Sequence, residues 1–169
     1  MIAVQNILVA TDFSETSTAA LRYGRELAER FNATLHVLHV AERIDVTTFG
    51  AEAYTVAAPD LQQDVVEAAR QRLHDMLTEG ASGSRVEPIV VTATAPAFAI
   101  IDYARDHEID LIVMGTHGRT TLAHYVIGSV AERVVRDAPC PVLTVRQSER
   151  DFVQPDSLAA APAAVEAGS

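Results

Sequence analysis

The chain has no lysine: all thirteen of its basic residues are arginine. A phosphate loop of the Walker type reaches the outer phosphates with a lysine, so composition alone excludes that site. There is no tryptophan and only one cysteine, Cys140, which rules out an internal disulfide and fits a reducing cytosol. No uninterrupted apolar stretch approaches the ~20 residues needed to span a bilayer. The N-terminal residues 1–10 lack the basic start and long apolar centre of a signal peptide and read as a first strand. Positive charge is scarce. With a net charge of −10 and no basic run, nothing could displace counterions from a nucleic-acid backbone. These absences predict a soluble cytoplasmic protein that binds neither membrane nor nucleic acid, its acidity serving solubility. One nucleotide held by main-chain donors remains compatible with all of them.

What is present concentrates between Gly115 and Ser129. That stretch carries the spacing G-x2-G-x9-G-S through Gly115, Gly118, Gly128 and Ser129. It follows the apolar run 110–114 and precedes a helical pattern, Val130 to Asp137. A strand, a glycine-bearing loop and a helix start let backbone N–H groups close on a phosphate. Glycine removes the side chain that would hold a ligand away, and the helix N-terminus adds partial positive charge. Turn geometry alone explains any one of these glycines, but explains the set followed by Ser129 less well.

Strand and helix patterns alternate along the chain. Residues 6–11 (NILVAT) form a short apolar run, as in a strand covered on both faces. From Ser14, a plausible cap, a helical stripe of Ala20, Gly24, Leu27, Ala28 and Phe31 follows. Thr34 to Val40 reads as the second strand. Pro59 or Asp60 opens a second helix, with Leu61, Val65, Ala69, Leu73, Met76 and Leu77 on one face and Gly80 as its stop. Val86 to Ala93 is a third strand, weakened by Pro88, and Pro96 starts a third helix running towards His107. Residues 110–114 give the fourth strand, Val130 to Asp137 the last helix, and Pro141 to Arg146 the fifth strand. This order implies one α/β domain over residues 1–147: an open five-stranded parallel sheet of Rossmann-like type, helices on both faces and strand order 3-2-1-4-5. Ligands in such sheets bind beyond the carboxyl ends of the strands, where the strand order reverses. Ala41 to Ala58 is long and poorly patterned, and is expected to be a mobile flap over that edge. Residues 148–169, rich in Ala and Pro, read as a disordered tail.

Three side chains invite a catalytic or metal reading. His117 has no nucleophile or carboxylate partner in sequence, so a ligand contact fits it better than general-base chemistry. His36 and His39 lie three apart on a strand, which points them to opposite faces and argues against a shared metal. Cys140, between Pro139 and Pro141, has no cation or helix N-terminus arranged for it and reads as a small buried hydrophobe.

The segments ILVATDFSETSTAALRYGRELA near the start and DLIVMGTHGRTTLAHYVIGSVAERVVRDAPCPVLTVR near the end resemble the universal stress protein family. The likeness spans about residues 4–146, and the glycine spacing matches the family's ATP-binding subgroup. The resemblance implies that Ala10, Thr11 and Asp12 lie beside the adenine and ribose. A helix cap shared with Ser14 is the plainer reading of Asp12. By the same resemblance Val40 offers backbone groups to the adenine edge, and Met114 and Gly115 line the ribose. Gly118 and Arg119 would face the phosphates, with Gly128, Ser129 and Val130 presenting N–H groups to them, and His117 would contact phosphate or ribose. Arg119 could equally be a solvated loop charge. Two positions depart from the family pattern: Thr94-Ala95-Pro96 stands where relatives commonly begin with glycine, and Thr121 stands where glycine often follows. Mg²⁺ or Mn²⁺ would be held mostly through phosphate oxygens.

There is ample apparatus here for gripping ATP and little for cleaving it. The first expectation is a nucleotide-dependent stress-response regulator with little or no hydrolysis. A slow ATPase using Asp12 and His117, and a nucleotide-free interaction module, are the alternatives. The last strand should lie at a sheet edge, where Val142, Leu143 and Val145 would join a homodimer; protein partners are not legible.

Overall fold

A computed structural model of the chain describes residues 3–44, 51–78, 85–116 and 127–146, with the backbone path alone over 51–59. The elements run β1 (Asn6–Thr11), α1 (Glu15–Phe31), β2 (Thr34–Glu42), α2 (Ala51–Thr78), β3 (Val86–Ala93), α3 (Pro96–Asp106), β4 (Leu111–Gly115), α4 (Ser129–Asp137) and β5 (Val142–Val145). All strand pairs are parallel, and the order across the sheet is β3-β2-β1-β4-β5. The sheet and its order are those the sequence implies.

Side-chain alternation divides the core in two. Ile7 and Val9 of β1, Leu35 and Val37 of β2, and Val113 of β4 face α1 and α2. Leu8, Ala10, Leu38, Ile112 and Met114 face α3 and α4. Because both faces are buried, strands appear in the sequence as continuous apolar runs instead of alternating ones. Pro88 falls on β3, an edge strand, where its missing N–H costs no ladder bond to a further strand. At the opposite end of β1, the Asp110 carboxylate accepts from the backbone N–H of Gln5 (2.7 Å) and Asn6 (3.0 Å), tying the start of β4 to the start of β1.

Helix α1 begins as its sequence suggests, with the Ser14 side chain accepting from Ser17 N–H, and ends at Asn32 in the left-handed conformation. Phe31, expected on the buried stripe, is instead 43% exposed: it is the final residue of the helix, next to the left-handed Asn32, while Ala28 one turn earlier stays fully buried. Helix α2 departs further from expectation. It starts at Ala51 and not at Pro59 or Asp60, so residues 51–58 belong to a helix and not to a flap. Four alanines in that stretch (51, 53, 57, 58) favour helix strongly. Pro59 removes one helical bond, a cost of about 3 kcal/mol, but does not by itself end a helix 28 residues long. Residues 45–50 and Gly80 lie outside the described residues, as does the tail. No basic residue occupies the last turn of α2. Its terminal carbonyls are capped from α1 instead: Arg25 donates to Met76 O (3.3 Å) and Leu77 O (3.0 Å). Among the described residues no helix is long and apolar enough to cross a membrane.

Candidate nucleotide cleft

The strand order reverses between β1 and β4, whose carboxyl ends are Thr11 and Gly115. Helix α1 leaves to one face after β1, while the chain after β4 returns at α4 on the other. A gap between the two connections follows from this topology. The cleft that fills it holds about 190 Å³. Ala10, Thr11 and Asp12 line it from β1 and its connection, Val40 from β2, Met114 and Gly115 from β4, and Gly128, Ser129 and Val130 from the start of α4. These are the site residues singled out in the sequence. His117, Gly118 and Arg119 lie outside the described residues, as does Thr121.

The wall and floor also contain residues that no motif revealed. Leu38 and His39 come from β2, Pro96 and Ile100 from α3, and Ser17 from α1. Leu38 and Ile100 are ordinary core hydrophobes by sequence, and only the packing of α3 against the sheet makes them cleft walls. The Thr94-Ala95-Pro96 departure accordingly matters: it places a proline ring on the wall, and Ala95 caps α3 with no side-chain bond.

Polar groups are arranged differently on the two sides. Around β1 the side chains satisfy one another. Asp12 Oδ1 accepts from Ser14 N (3.0 Å) and Ser14 Oγ (2.6 Å), and the Thr11 and Ser17 hydroxyls are 3.0 Å apart. Asp12 therefore supports the start of α1 and lines the cleft at the same time. At α4 the N-cap is Gly128, which as a glycine makes no side-chain cap bond, so no cap side chain occupies the first N–H groups of the helix at the rim of the cleft. Gly128 N–H donates to Thr116 O at 2.8 Å, and Thr116 N–H donates to Val145 O at 2.9 Å. The two ends of the glycine loop are thus tied together at its base and fixed to β5.

Histidines 36 and 39 lie on opposite faces. The His39 Nδ1–H donates to Thr11 O at 2.9 Å and its ring packs on Phe13. His36 is buried beneath α3, its Nδ1 3.0 Å from the Tyr103 hydroxyl and 3.7 Å from Glu87 Oε2, with Nε2 buried and without a hydrogen-bond partner among the described residues. Among the described residues no cluster of three ligating side chains could hold a metal ion. Burial, partly opposed by Glu87, holds the His36 imidazole below its ordinary pKa. The unfolded chain then takes up a proton first as pH falls below about 6.5, so stability is full above that value and declines towards the lower folded-state pKa. Urea unfolding followed from about pH 7.5 down to about pH 5 is expected to show this decline, and His36→Gln to shrink it. An identical profile in both proteins would contradict the assignment. Cys140 is partly buried, and burial with the nearby Asp110 charge pushes its thiol up, away from reactivity.

A parallel sheet with helices on both faces and a cleft at its strand-order reversal defines the doubly wound α/β class. The chain belongs to the universal stress protein family, whose family model matches residues 3–146. A universal stress protein of Methanocaldococcus jannaschii is 30% identical over 147 residues, covering 87% of this chain and 85% of that protein. A putative universal stress protein of Staphylococcus epidermidis is 31% identical over 150 residues, 88% of each chain. The fold is similar to that of UspA from Lactobacillus plantarum, with a TM-score of 0.71 and 30% identity over 86% of this chain and 100% of that one. It is also similar to a universal stress protein solved in complex with cAMP, with a TM-score of 0.55 and 28% identity over 87% of this chain and 100% of the other.

Proposed function

We propose that this protein holds ATP in the cleft and acts as a nucleotide-dependent stress-response regulator. The observation that carries this reading is the pairing of an apolar cleft with the uncapped start of α4 at its rim. The cleft suits a base and sugar; a helix start whose cap residue has no side chain suits phosphate oxygens. The cAMP complex of a relative supports a phosphate-bearing adenine ligand as the class. Val40 supplies main-chain groups to the adenine edge, and Asp12 lies where it can accept from ribose hydroxyls. Gly118 and Arg119 are assigned to the phosphates, and His117 to the phosphate or ribose. Mg²⁺ or Mn²⁺ is bound mainly by phosphate oxygens, Asp12 being the carboxylate that the described lining offers.

Protein purified without added nucleotide is expected to release ATP on denaturation. Asp12→Ala should weaken ATP binding about tenfold or more, the scale of losing a hydrogen bond to a charged group. A wild-type protein that carries no nucleotide and shows no ATP binding by calorimetry would leave the interaction-module reading. Sustained turnover that disappears in Asp12→Ala and His117→Ala would instead establish the hydrolase.

The same reading places a homodimer at β5. The side chains of Leu143 and Val145 pack against the α1/α2 core and Val142 against the α3/α4 core, so what this edge strand offers a partner is chiefly backbone. Pro141 O and Val145 O both accept from β4 and the strand connection after it, which turns the N–H groups of the even-numbered residues outward. Thr144→Pro therefore removes an outward N–H and spares the bonds to β4. Light scattering should find this variant shifted to monomer. A variant still fully dimeric would mean that β5 is not the joint.

A further inference from the structure

Phe13 has a backbone φ of 64°, in the left-handed region. A bulky aromatic residue rarely adopts that conformation, and it persists only where surrounding contacts enforce it. Here the contacts are specific. Phe13 N–H donates to Thr11 Oγ1 at 3.1 Å. Its ring lies 4.3 Å from the His39 ring, inclined by 36°. The Arg72 guanidinium, from the exposed face of α2, sits 4.6 Å from the ring centroid. The twist at Phe13 also lets Ser14 turn back onto the Asp12 carboxylate. Asp12 and His39 line the cleft, whereas Phe13 and Arg72 do not.

We propose that Phe13 is a positioning residue for the nucleotide: its ring holds His39 and its turn aims Asp12, with Arg72 as an outer clamp linking α2 to the cleft. The proposal rests on the nucleotide reading above. The chain of contacts Arg72–Phe13–His39 is the path by which a substitution on α2, outside the cleft, alters ligand affinity. His39 cannot turn freely to evade the ring, because its Nδ1–H is committed to Thr11 O.

The test uses the full chain with Arg72→Met, Phe13→Leu and the double variant, each checked for folding by amide spectra. The His39 ring protons are followed by NMR without nucleotide, and ATP affinity is measured in magnesium buffer. Phe13→Leu should abolish the ring-current shift at His39, and Arg72→Met should move those resonances measurably. ATP binding should weaken about tenfold in Phe13→Leu and about threefold in Arg72→Met. Arg72→Met should add nothing further in the Phe13→Leu background, because it acts only through that ring. Arg72 is exposed, so its variant folds even where Phe13→Leu does not. Unmoved His39 resonances in Arg72→Met, unchanged ATP affinity in that variant, or full additivity in the double variant each overturn the proposal. Absence of ATP binding by the wild-type protein overturns the nucleotide reading instead, and is told apart because the His39 resonances need no ligand.

Discussion

Gly24→Val destabilises the fold by about 3 kcal/mol, at the upper end of the range for overpacking a core. Gly24 lies on the buried face of α1, where a Cβ would fall well inside contact distance of Val9 Cγ2 and at 3.4 Å from Leu35 Cδ1. Val9 and Leu35 are both fully buried in central strands, and Val9 is β-branched, so the methyl it presents has little rotamer freedom to withdraw. Gly24→Ala meets the same methyl and should also lose stability. At an exposed helical site that change would gain up to about 1 kcal/mol. The sign of the alanine change thus separates close approach from helix propensity. Urea denaturation measures both variants, and adding Val9→Ala to Gly24→Ala should restore part of the loss. An alanine variant more stable than wild type would show that α1 does not approach β1 this closely.

Gly115→Val is expected to have the second-largest effect, about 2 kcal/mol of stability, together with loss of ligand binding. Gly115 ends β4 on the side facing α1. A Cβ there would meet Thr16 Cβ and Oγ1 at 3.0 Å and the Thr16 carbonyl carbon at 3.1 Å. Backbone cannot rotate aside as a side chain can, so the first turn of α1 must move away from β4. That turn carries Ser14 and Ser17, which hold Asp12 and Thr11, so the shift reaches the cleft directly. Calorimetry with ATP alongside thermal unfolding reads both consequences. A variant that loses stability yet binds ATP as wild type does would place the ligand away from this end of β4.

The fold was legible because burial on both faces turns each central strand into an apolar run, such as Ile7 to Ala10, with a helical stripe after it. The start of α2 is not legible, because Pro59 suits a first helical turn while the alanines before it carry no start signal of their own. The glycine pattern points to the described cleft residues on β4 and α4, and the family resemblance to Ala10, Thr11, Asp12 and Val40. The wall from α3 was not legible. Ile100 differs in no local way from its neighbour Ile101, and the distinction arises only when α3 settles against Leu38. Phe13 was equally silent, since its left-handed backbone carries no glycine or asparagine to announce it.

The bond from Gly128 N–H to Thr116 O brings the two ends of the intervening sequence together at the edge of the sheet. Closure fixes both ends whatever lies between, and lengthening such a segment costs only about 0.6 kcal/mol per doubling. The sequence between them can therefore change in length while the sheet keeps its register. The end of the sheet is in that sense a fixed frame, and the sequence between Thr116 and Gly128 is the part free to vary without disturbing it.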